Sequence, residues 1–270
     1  MKSRIIYAAV LIPIVYLMLW APVAHHLLFA LGVSLVGSIA LLEFYGMHRT
    51  MRPYVPAGLL PVMITPLLAW KAFEPAIFGT LVVVVPLILI FASLSVERSD
   101  PSASIMVTLA GVAYIAPAMG LLVALRAYPH GFGLVLLMLA GVWANDSGAY
   151  FVGRLIGRTK LAPRISPNKT VEGFVGGFVV GTAVVWYGHH LLGKVEGHFV
   201  VSGYDALIIG MAVALATPVG DLFESMLKRA AGVKDSGTLL GEHGGMLDRI
   251  DSILLAGPVM FLACYLQGVI

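Results

Sequence analysis

The segment from residue 221 to residue 251 concentrates charge in a chain that otherwise carries little of it. It reads DLFESMLKRAAGVKDSGTLLGEHGGMLDRID and lies between two apolar runs. Carboxylates at the ends of membrane segments are energetically costly and usually serve a site. The acids are accompanied by cations of the kind that bind phosphate or a metal–phosphate complex, namely Lys228, Arg229, Lys234 and Arg249. The residue types therefore indicate chemistry on a phosphate compound.

The acids of this segment are spaced so that they share helix faces. Asp221 is followed three, four and seven residues later by Glu224, Ser225 and Lys228, a spacing that places all four along one side of a helix. Asp248 and Asp251 are three residues apart at the start of the last apolar run. Two helices would thus present carboxylates, and carboxylates without thiolates select hard cations, above all magnesium.

Two further features would add to a cation site. Asp146 lies near the end of an earlier apolar run, where a carboxylate must be paired, neutral or metal-bound. A salt bridge to Arg154 or Arg158 is the alternative to a site role for Asp146. Pro218 has no N–H group and would leave backbone carbonyls free just before Asp221. We expect such carbonyls to suit a bound cation.

A basic loop, residues 159–173 with the sequence TKLAPRISPNKTVEG, supplies a candidate anion site. We expect residues 166–170 to form a turn that ends in Thr170 as the N-cap of the next helix. A helix N-terminus beside Lys169 and Arg164 would attract an anion. Three other cations of this region are explained by membrane orientation alone: Arg154, Arg158 and Lys160.

The composition predicts an integral membrane protein of the all-α class. Of its 270 residues, 59% are hydrophobic and 11% charged, whereas soluble domains carry about 25% charged residues. The mean hydropathy is +0.94. Helices need about 20 apolar residues to cross a bilayer, and we expect about nine spans: 5–21, 25–47, 57–73, 76–95, 103–125, 131–153, 171–193, 203–228 and 250–269.

Three smaller features have interpretations of their own. The run at 5–21 lacks a small-residue cleavage site, so we expect a retained helix rather than a signal peptide. Glu43 lies near His48 and Arg49 and is interpreted as a solvated interfacial acid, with a functional role as the alternative. Glycines every four residues, at 173, 177 and 181, would let another helix approach closely.

The distribution of cations predicts the orientation. With the N-terminus inside, all of the 17 Lys and Arg residues fall in cytoplasmic segments except Lys71, Arg126 and Lys194. Cytoplasmic loops of membrane proteins carry such an excess. The predicted topology is therefore N-in and C-out, with Asp146, Asp221, Asp248 and Asp251 at the inner leaflet.

Phosphoryl or nucleotidyl transfer on an amphiphilic substrate at the cytosolic face fits this set of residues best. Metal ions and cations stabilise polyphosphates, and glycines such as Gly244 and Gly245 let backbone amides approach them. A transporter or channel is the alternative, because acids in membranes also mark ion paths. Transport sites, however, usually lie near the midplane on broken helices.

The same residues resemble the signature of the phosphatidate cytidylyltransferases, the bacterial CDP-diacylglycerol synthases. The matching positions are Ser225, Lys228-Arg229, Lys234-Asp235, His243-Gly244-Gly245 and Asp248-Arg249-Ile250-Asp251, with Gly241 where proline or glycine is expected. Residues 166–173, SPNKTVEG, and Asp146 also resemble this family. The likeness covers the C-terminal half, while the first half is similar only in being apolar and multi-spanning.

The resemblance implies transfer of CMP from CTP to phosphatidic acid, with release of pyrophosphate. It implies that residues 126–270 form the catalytic region and residues 1–125 the remaining transmembrane helices. Asp221 and Asp248 would bind Mg²⁺, and a second cation such as K⁺ would lie among Asp146, Asp221 and Asp248. The catalytic set would be Asp146, Lys169, Asp221, Lys228 and Asp248.

The other site residues would bind the substrates. They are Ser166, Asn168, Thr170, Ser225, Arg229, Lys234, Asp235, His243, Gly244, Gly245 and Arg249. Three of them have structural alternatives: His243 as an orienting group, Asp235 as the cap of its own glycine turn, and Arg249 as the ion-pair partner of Asp251.

The implied partners are CTP, phosphatidic acid and membrane lipids, with no nucleic acid. The oligomeric state is left open, with a homodimer as one option. The expected location is the bacterial plasma membrane, with the site facing the cytoplasm. A CTP-dependent enzyme that phosphorylates a lipid alcohol is a second alternative, since it would use the same nucleotide.

Overall fold

A computed structural model of the protein describes residues 16–17, 26–70, 100–196, 201–239, 241 and 244–270. Within these residues the chain forms long helices and one small hairpin. The helices are α1 Leu27–Met47, α2 Val55–Ala69, α3 Pro101–Ala127, α4 Gly131–Ile156, α5 Val171–Glu196, α6 Gly203–Ala230 and α7 Leu247–Leu266, and the strands are β1 Lys160–Ala162 and β2 Ser166–Thr170. The predicted all-α class of membrane protein is confirmed.

Six of these helices are long and apolar enough to cross a membrane. The exception is α2, which has 15 residues and contains Pro61 and Pro66. It covers most of the predicted span 57–73 but is shorter than the roughly 20 residues that a bilayer requires. The predicted spans 5–21, except for residues 16–17, and 76–95 lie outside the described residues. The number of nine spans and their orientation therefore stay predictions.

The described chain divides into two compact units. One contains the described residues of Met1–Ala127 and the segment Asp235–Asp248. Its helices α1 and α3 are linked by the Tyr45 hydroxyl, which donates to the Thr108 carbonyl at 3.0 Å. Gly58 makes room for this tyrosine, because a Cβ there would lie 2.0 Å from the Tyr45 hydroxyl oxygen.

The other unit contains Tyr128–Lys234 and Arg249–Ile270, and in it α4 and α5 pack closely. A Cβ on Gly177 would lie 2.7 Å from the Asn145 carbonyl oxygen, and one on Gly181 would lie 3.1 Å from that of Gly141. Only glycine permits this approach of two helix backbones. The predicted packing role of the glycines in α5 is confirmed.

The basic loop folds as a hairpin, so the turn predicted at residues 166–170 is wrong. These residues form β2, which pairs antiparallel with β1, and the turn lies at 163–165. Proline is tolerated in this two-stranded sheet because an edge strand can spare the hydrogen bond of one N–H group. Thr170 does cap α5, as predicted, since its Oγ1 accepts from the Gly173 N–H at 3.1 Å.

Candidate active site

Lys169 and Asp221 form an ion pair in the unit that contains α4 to α6. Lys169 Nζ lies 2.6 Å from Asp221 Oδ2, and the side chains are 24% and 34% exposed. The pair joins the end of β2, just before α5, to the C-terminal third of α6. Ser225, one turn further along α6, is 3.3 Å from the other carboxylate oxygen of Asp221 and donates to it. Three predicted site residues are therefore brought together.

Two more carboxylates lie within electrostatic range of Asp221. They are Asp146 on α4 and Asp251 on α7. Lys169 also interacts with Asp146, and Lys228 with Asp251. We call these residues the Asp221 cluster: Asp146, Lys169, Asp221, Ser225, Lys228 and Asp251.

Local packing explains why these helices meet. Gly220 precedes Asp221, and a Cβ on it would lie 2.7 Å from the Asp251 carbonyl oxygen. The absence of a side chain there lets α7 pass close to α6, which brings Asp251 beside Asp221. Arg154, the alternative partner of Asp146, instead donates to the Tyr150 hydroxyl at 2.9 Å.

Lys228 is engaged within its own helix. It forms an ion pair with Glu224, one turn earlier on α6, and the Glu224 side chain is fully buried. A buried carboxylate requires a partner, because removing an ion from water is costly. The face that carries Asp221 and Lys228 was predicted from the sequence, whereas the burial of Glu224 was not.

The backbone carbonyl that loses its helical donor at Pro218 is bound by a side chain and is not available to a cation. Proline at this position removes the helical bond to Ala214, four residues earlier. The Ala214 carbonyl accepts from Asn145 Nδ2 at 2.8 Å, and Asn145 is buried. The prediction of a free carbonyl before Asp221 is therefore wrong at Ala214, because a side chain of α4 has taken the place of the missing N–H.

Asp248 lies in the other unit, where its carboxylate is held by neighbouring groups. Asp248 Oδ2 accepts from the Ser236 N–H at 2.9 Å, from the Ser236 hydroxyl at 2.9 Å and from the Gly245 N–H at 2.8 Å. Gly244 has φ +74°, and a Cβ on it would lie 2.6 Å from Asp248 Oδ2. The two glycines thus let the backbone approach Asp248, and the amide of Gly245 is used there.

Glu43 is part of the same arrangement, and its interpretation as a solvated acid is wrong. Its Oε1 accepts from the Met246 N–H at 2.9 Å, and its Oε2 accepts from the Leu247 N–H at 2.8 Å. The Ser236 hydroxyl lies 3.1 Å from Oε2. No pattern in the sequence links Glu43 to a helix some 200 residues later, so only the fold reveals the contact.

The remaining predicted site residues lie at the surface or along the hairpin. Arg229 donates to the carbonyls of Val233 at 3.1 Å and Ile165 at 3.4 Å, which joins α6 to the hairpin. The side chains of four others are exposed: Asn168, Lys234, Asp235 and Arg249. Ser166 is half-buried in β2. His243 lies outside the described residues.

The donor set fits a hard cation that substrate phosphates help to hold. Within the described residues, no three His, Cys, Asp or Glu side chains form a ready-made ligand group for a metal. Magnesium is typically held by one or two carboxylates together with phosphate oxygens, and the Asp221 cluster offers carboxylates beside a lysine. Asp221 and Asp248 belong to different units. That they bind the same metal ion therefore stays a prediction.

The fold and these residues define an α-helical membrane protein of several spans that carries clustered carboxylates and lysines at helix ends. More specifically, the chain belongs to the cytidylyltransferase family, whose profile it matches over residues 2–267.

Similar proteins carry one name. A phosphatidate cytidylyltransferase of Bacillus subtilis is 33% identical over 97% of this chain and 96% of its own length. The protein of that name from Haemophilus influenzae is 44% identical over 48% of this chain and 44% of its own length. That of Thermotoga maritima is 43% identical over 52% of each chain.

Proposed function

We propose that this protein is a CTP:phosphatidate cytidylyltransferase, which forms CDP-diacylglycerol and pyrophosphate. One observation supports the proposal most strongly: a relative of that name is similar along 97% of the chain. The similarity therefore includes the Asp221 cluster, the hairpin and the Asp248 region together. The clustered cations and carboxylates supply a chemical reason for the assignment that does not depend on the relative's name.

The reaction is an attack of one phosphate on another. An oxygen of the phosphatidate phosphate bonds to the α-phosphorus of CTP, and the bond from that phosphorus to the β-phosphate oxygen breaks. Phosphatidate is already an anion, so the attacking oxygen hardly needs a base. The main obstacle is repulsion between the two anions, which positioned cations and a metal ion reduce.

The lysines of the Asp221 cluster are suited to that task. Lys169 lies in β2 just before the N-terminus of α5, where backbone amides also favour an anion. Its side chain is partly exposed, although the ammonium nitrogen itself is buried against Asp221. We assign Lys169 to a substrate phosphate, and Arg229 and Lys234 to the remaining phosphate charge. Lys228 also forms the ion pair with the buried Glu224.

A magnesium ion, when bound, would neutralise phosphate charge and fix the orientation of the triphosphate. We assign Asp221 and Asp248 to it, with Asp146 available to a second cation such as K⁺. Asp221 Oδ2 is engaged by Lys169 in this structure. Binding of a cation to that oxygen would therefore release the lysine toward the substrate phosphates.

We place the protein in the bacterial plasma membrane, N-in and C-out, with the site at the cytosolic face. The support is the one-sided distribution of Lys and Arg, since loops rich in these residues stay in the cytoplasm. CTP is a cytosolic nucleotide, which agrees with this orientation. A homodimer stays one option for the assembly.

A product assay tests the proposed function. Purified protein in detergent micelles with phosphatidate and Mg²⁺ is given CTP, dCTP or ATP, and the lipid products and pyrophosphate are measured. We expect a liponucleotide and an equal amount of pyrophosphate with a cytidine nucleotide. The absence of a liponucleotide would refute the proposal. Phosphorylation of an added lipid alcohol would then favour the lipid-alcohol kinase, and ion flux through proteoliposomes without nucleotide would favour a transporter or channel.

A further inference from the structure

The carboxylate of Glu43 on α1 binds the start of α7. The first turn of a helix has backbone N–H groups without partners in the helix, and a carboxylate beside them is favoured by their charge. Glu43 accepts from two such groups, those of Met246 and Leu247, with one oxygen for each. A single side chain thus fixes where the backbone of α7 begins.

Two glycines leave space for this carboxylate. A Cβ on Gly237 would lie 2.7 Å from Glu43 Oε1, and a Cβ on Gly245 would lie 2.4 Å from Glu43 Oε2. Both distances are too short for real side chains. The loop before α7 is therefore shaped around the side chain of Glu43.

Ser236 connects Glu43 to Asp248. Its hydroxyl lies 3.1 Å from Glu43 Oε2 and 2.9 Å from Asp248 Oδ2, and its own N–H group donates to Asp248. Ser236 is buried, with 6% of its surface exposed. Asp248 is also the residue that follows Leu247, so Glu43 controls its backbone as well as one of the groups that bind its side chain.

We propose that Glu43 is a positioning residue for Asp248. It holds the start of α7 and, through Ser236, the carboxylate of Asp248 in the orientation that the transfer reaction needs. The inference rests on the proposed function, in which Asp248 contacts the metal–nucleotide. It gives Glu43, in the N-terminal half of the chain, the functional role that the sequence analysis held only as an alternative.

Two variants disturb the contact from opposite sides. Glu43→Gln keeps the size of the side chain but replaces one accepting oxygen by an NH₂ group, so one of the two backbone N–H groups loses its partner. Gly237→Ala leaves Glu43 in place and pushes a methyl group against its Oε1. Gly46→Ala is the control for the second variant, because a Cβ there has no neighbour within 4 Å in the part of the chain that the structure describes.

A third variant, Ser38→Ala, is the control on α1 itself, since among the described residues the Ser38 hydroxyl donates to the Ser34 carbonyl one turn earlier and not to the loop before α7. Each protein is purified as the full chain, and the folded fraction is quantified by size-exclusion chromatography. Hydrogen–deuterium exchange is followed in peptides that cover residues 244–250. Turnover with CTP and phosphatidate is then measured over a range of Mg²⁺ concentrations.

We expect Glu43→Gln and Gly237→Ala to speed exchange at residues 245–247, while both controls leave it unchanged. Loss of a group that orients a metal ligand typically costs about 10- to 100-fold in metal affinity or activity. The Mg²⁺ concentration for half-maximal turnover should therefore rise about tenfold or more in the folded variants. Glu43→Asp, which keeps both accepting oxygens, should recover part of the loss.

If the role of Glu43 were purely structural, the variants would give less folded protein. The folded fraction would keep its turnover and its Mg²⁺ requirement within twofold of the unmodified chain. That result overturns the inference. Unchanged exchange at 245–247 overturns it as well. A wild-type protein that forms no liponucleotide refutes the proposed function instead. The exchange measurement then decides by itself whether Glu43 holds the start of α7.

Discussion

The ammonium group of Lys169 lies 2.6 Å from Asp221 Oδ2, although the two residues belong to a hairpin strand and a membrane helix. A lysine in this position occupies the carboxylate oxygen that a metal ion would use. In this structure the two residues neutralise each other. Under the proposed function Asp221 would hold a metal ion, which would neutralise phosphate charge, and Lys169 would pair with a substrate phosphate instead.

The first prediction concerns Lys169. Lys169→Ala should reduce the turnover number at least about 100-fold, because removal of one positioned donor from a charged transition state commonly costs that much. Lys169→Arg keeps the charge and should recover part of the activity. The measurement is the rate of liponucleotide formation in purified variants at saturating CTP. Full activity in Lys169→Ala would exclude the lysine from the reaction.

The second prediction concerns the two acids assigned to the metal. Asp221→Asn and Asp248→Asn should each abolish activity, while the protein still inserts into the membrane. Asp205→Asn is a matched control near the other end of α6, where Asp205 binds only the helix-capping Ser202 among the contacts described. Substantial turnover in either of the first two variants would remove that residue from the site.

The third prediction concerns the metal itself. Exhaustive chelation with EDTA should stop liponucleotide formation, and added Mg²⁺ should restore it, because polyphosphate transfer depends on charge neutralisation. Ca²⁺ prefers more ligands and longer distances than Mg²⁺, and should support less turnover. Activity that survives chelation would argue against metal-assisted transfer.

The fourth prediction concerns the hydrogen bond from Asn145 to Ala214. Asn145→Ala should lower the free energy of unfolding by about 1–3 kcal/mol, since a buried carbonyl then lacks a donor. In a Pro218→Ala background residue 218 regains its N–H group and satisfies Ala214, so the same Asn145→Ala change should cost much less. Thermal unfolding of the four proteins measures this coupling. Equal losses in both backgrounds would show that Asn145 does not replace the missing N–H.

The sequence predicted the features that depend on local spacing. The apolar runs gave the helices because their length and composition are visible directly, and the glycines at 173, 177 and 181 indicated a close contact. Thr170 was recognisable as a cap because capping needs only residues three positions apart. Asp146, Asp221, Asp248 and Asp251 were expected to meet because all four were predicted at the inner leaflet. Asp146, Asp221 and Asp251 do lie within electrostatic range of one another, and the meeting of Asp248 with them stays a prediction.

The features that were missed depend on contacts between distant residues. Glu43 and the start of α7 are separated by about 200 residues, and Asn145 and Ala214 by 69. In both pairs, the sequence around one residue gives no indication of the residue that it contacts. The hairpin was mistaken for a turn because Ser, Pro and Asn favour turns, while its pairing with β1 is a tertiary property.

The central claim is that the cytidylyl group, and not the terminal phosphate, is transferred to the lipid. CTP labelled with ³²P at the α-phosphate and CTP labelled at the γ-phosphate are each incubated with the purified protein, phosphatidate and Mg²⁺. The account predicts that the α label appears in the lipid and the γ label in pyrophosphate. Label from the γ position in the lipid, or no label in the lipid from either nucleotide, would contradict it.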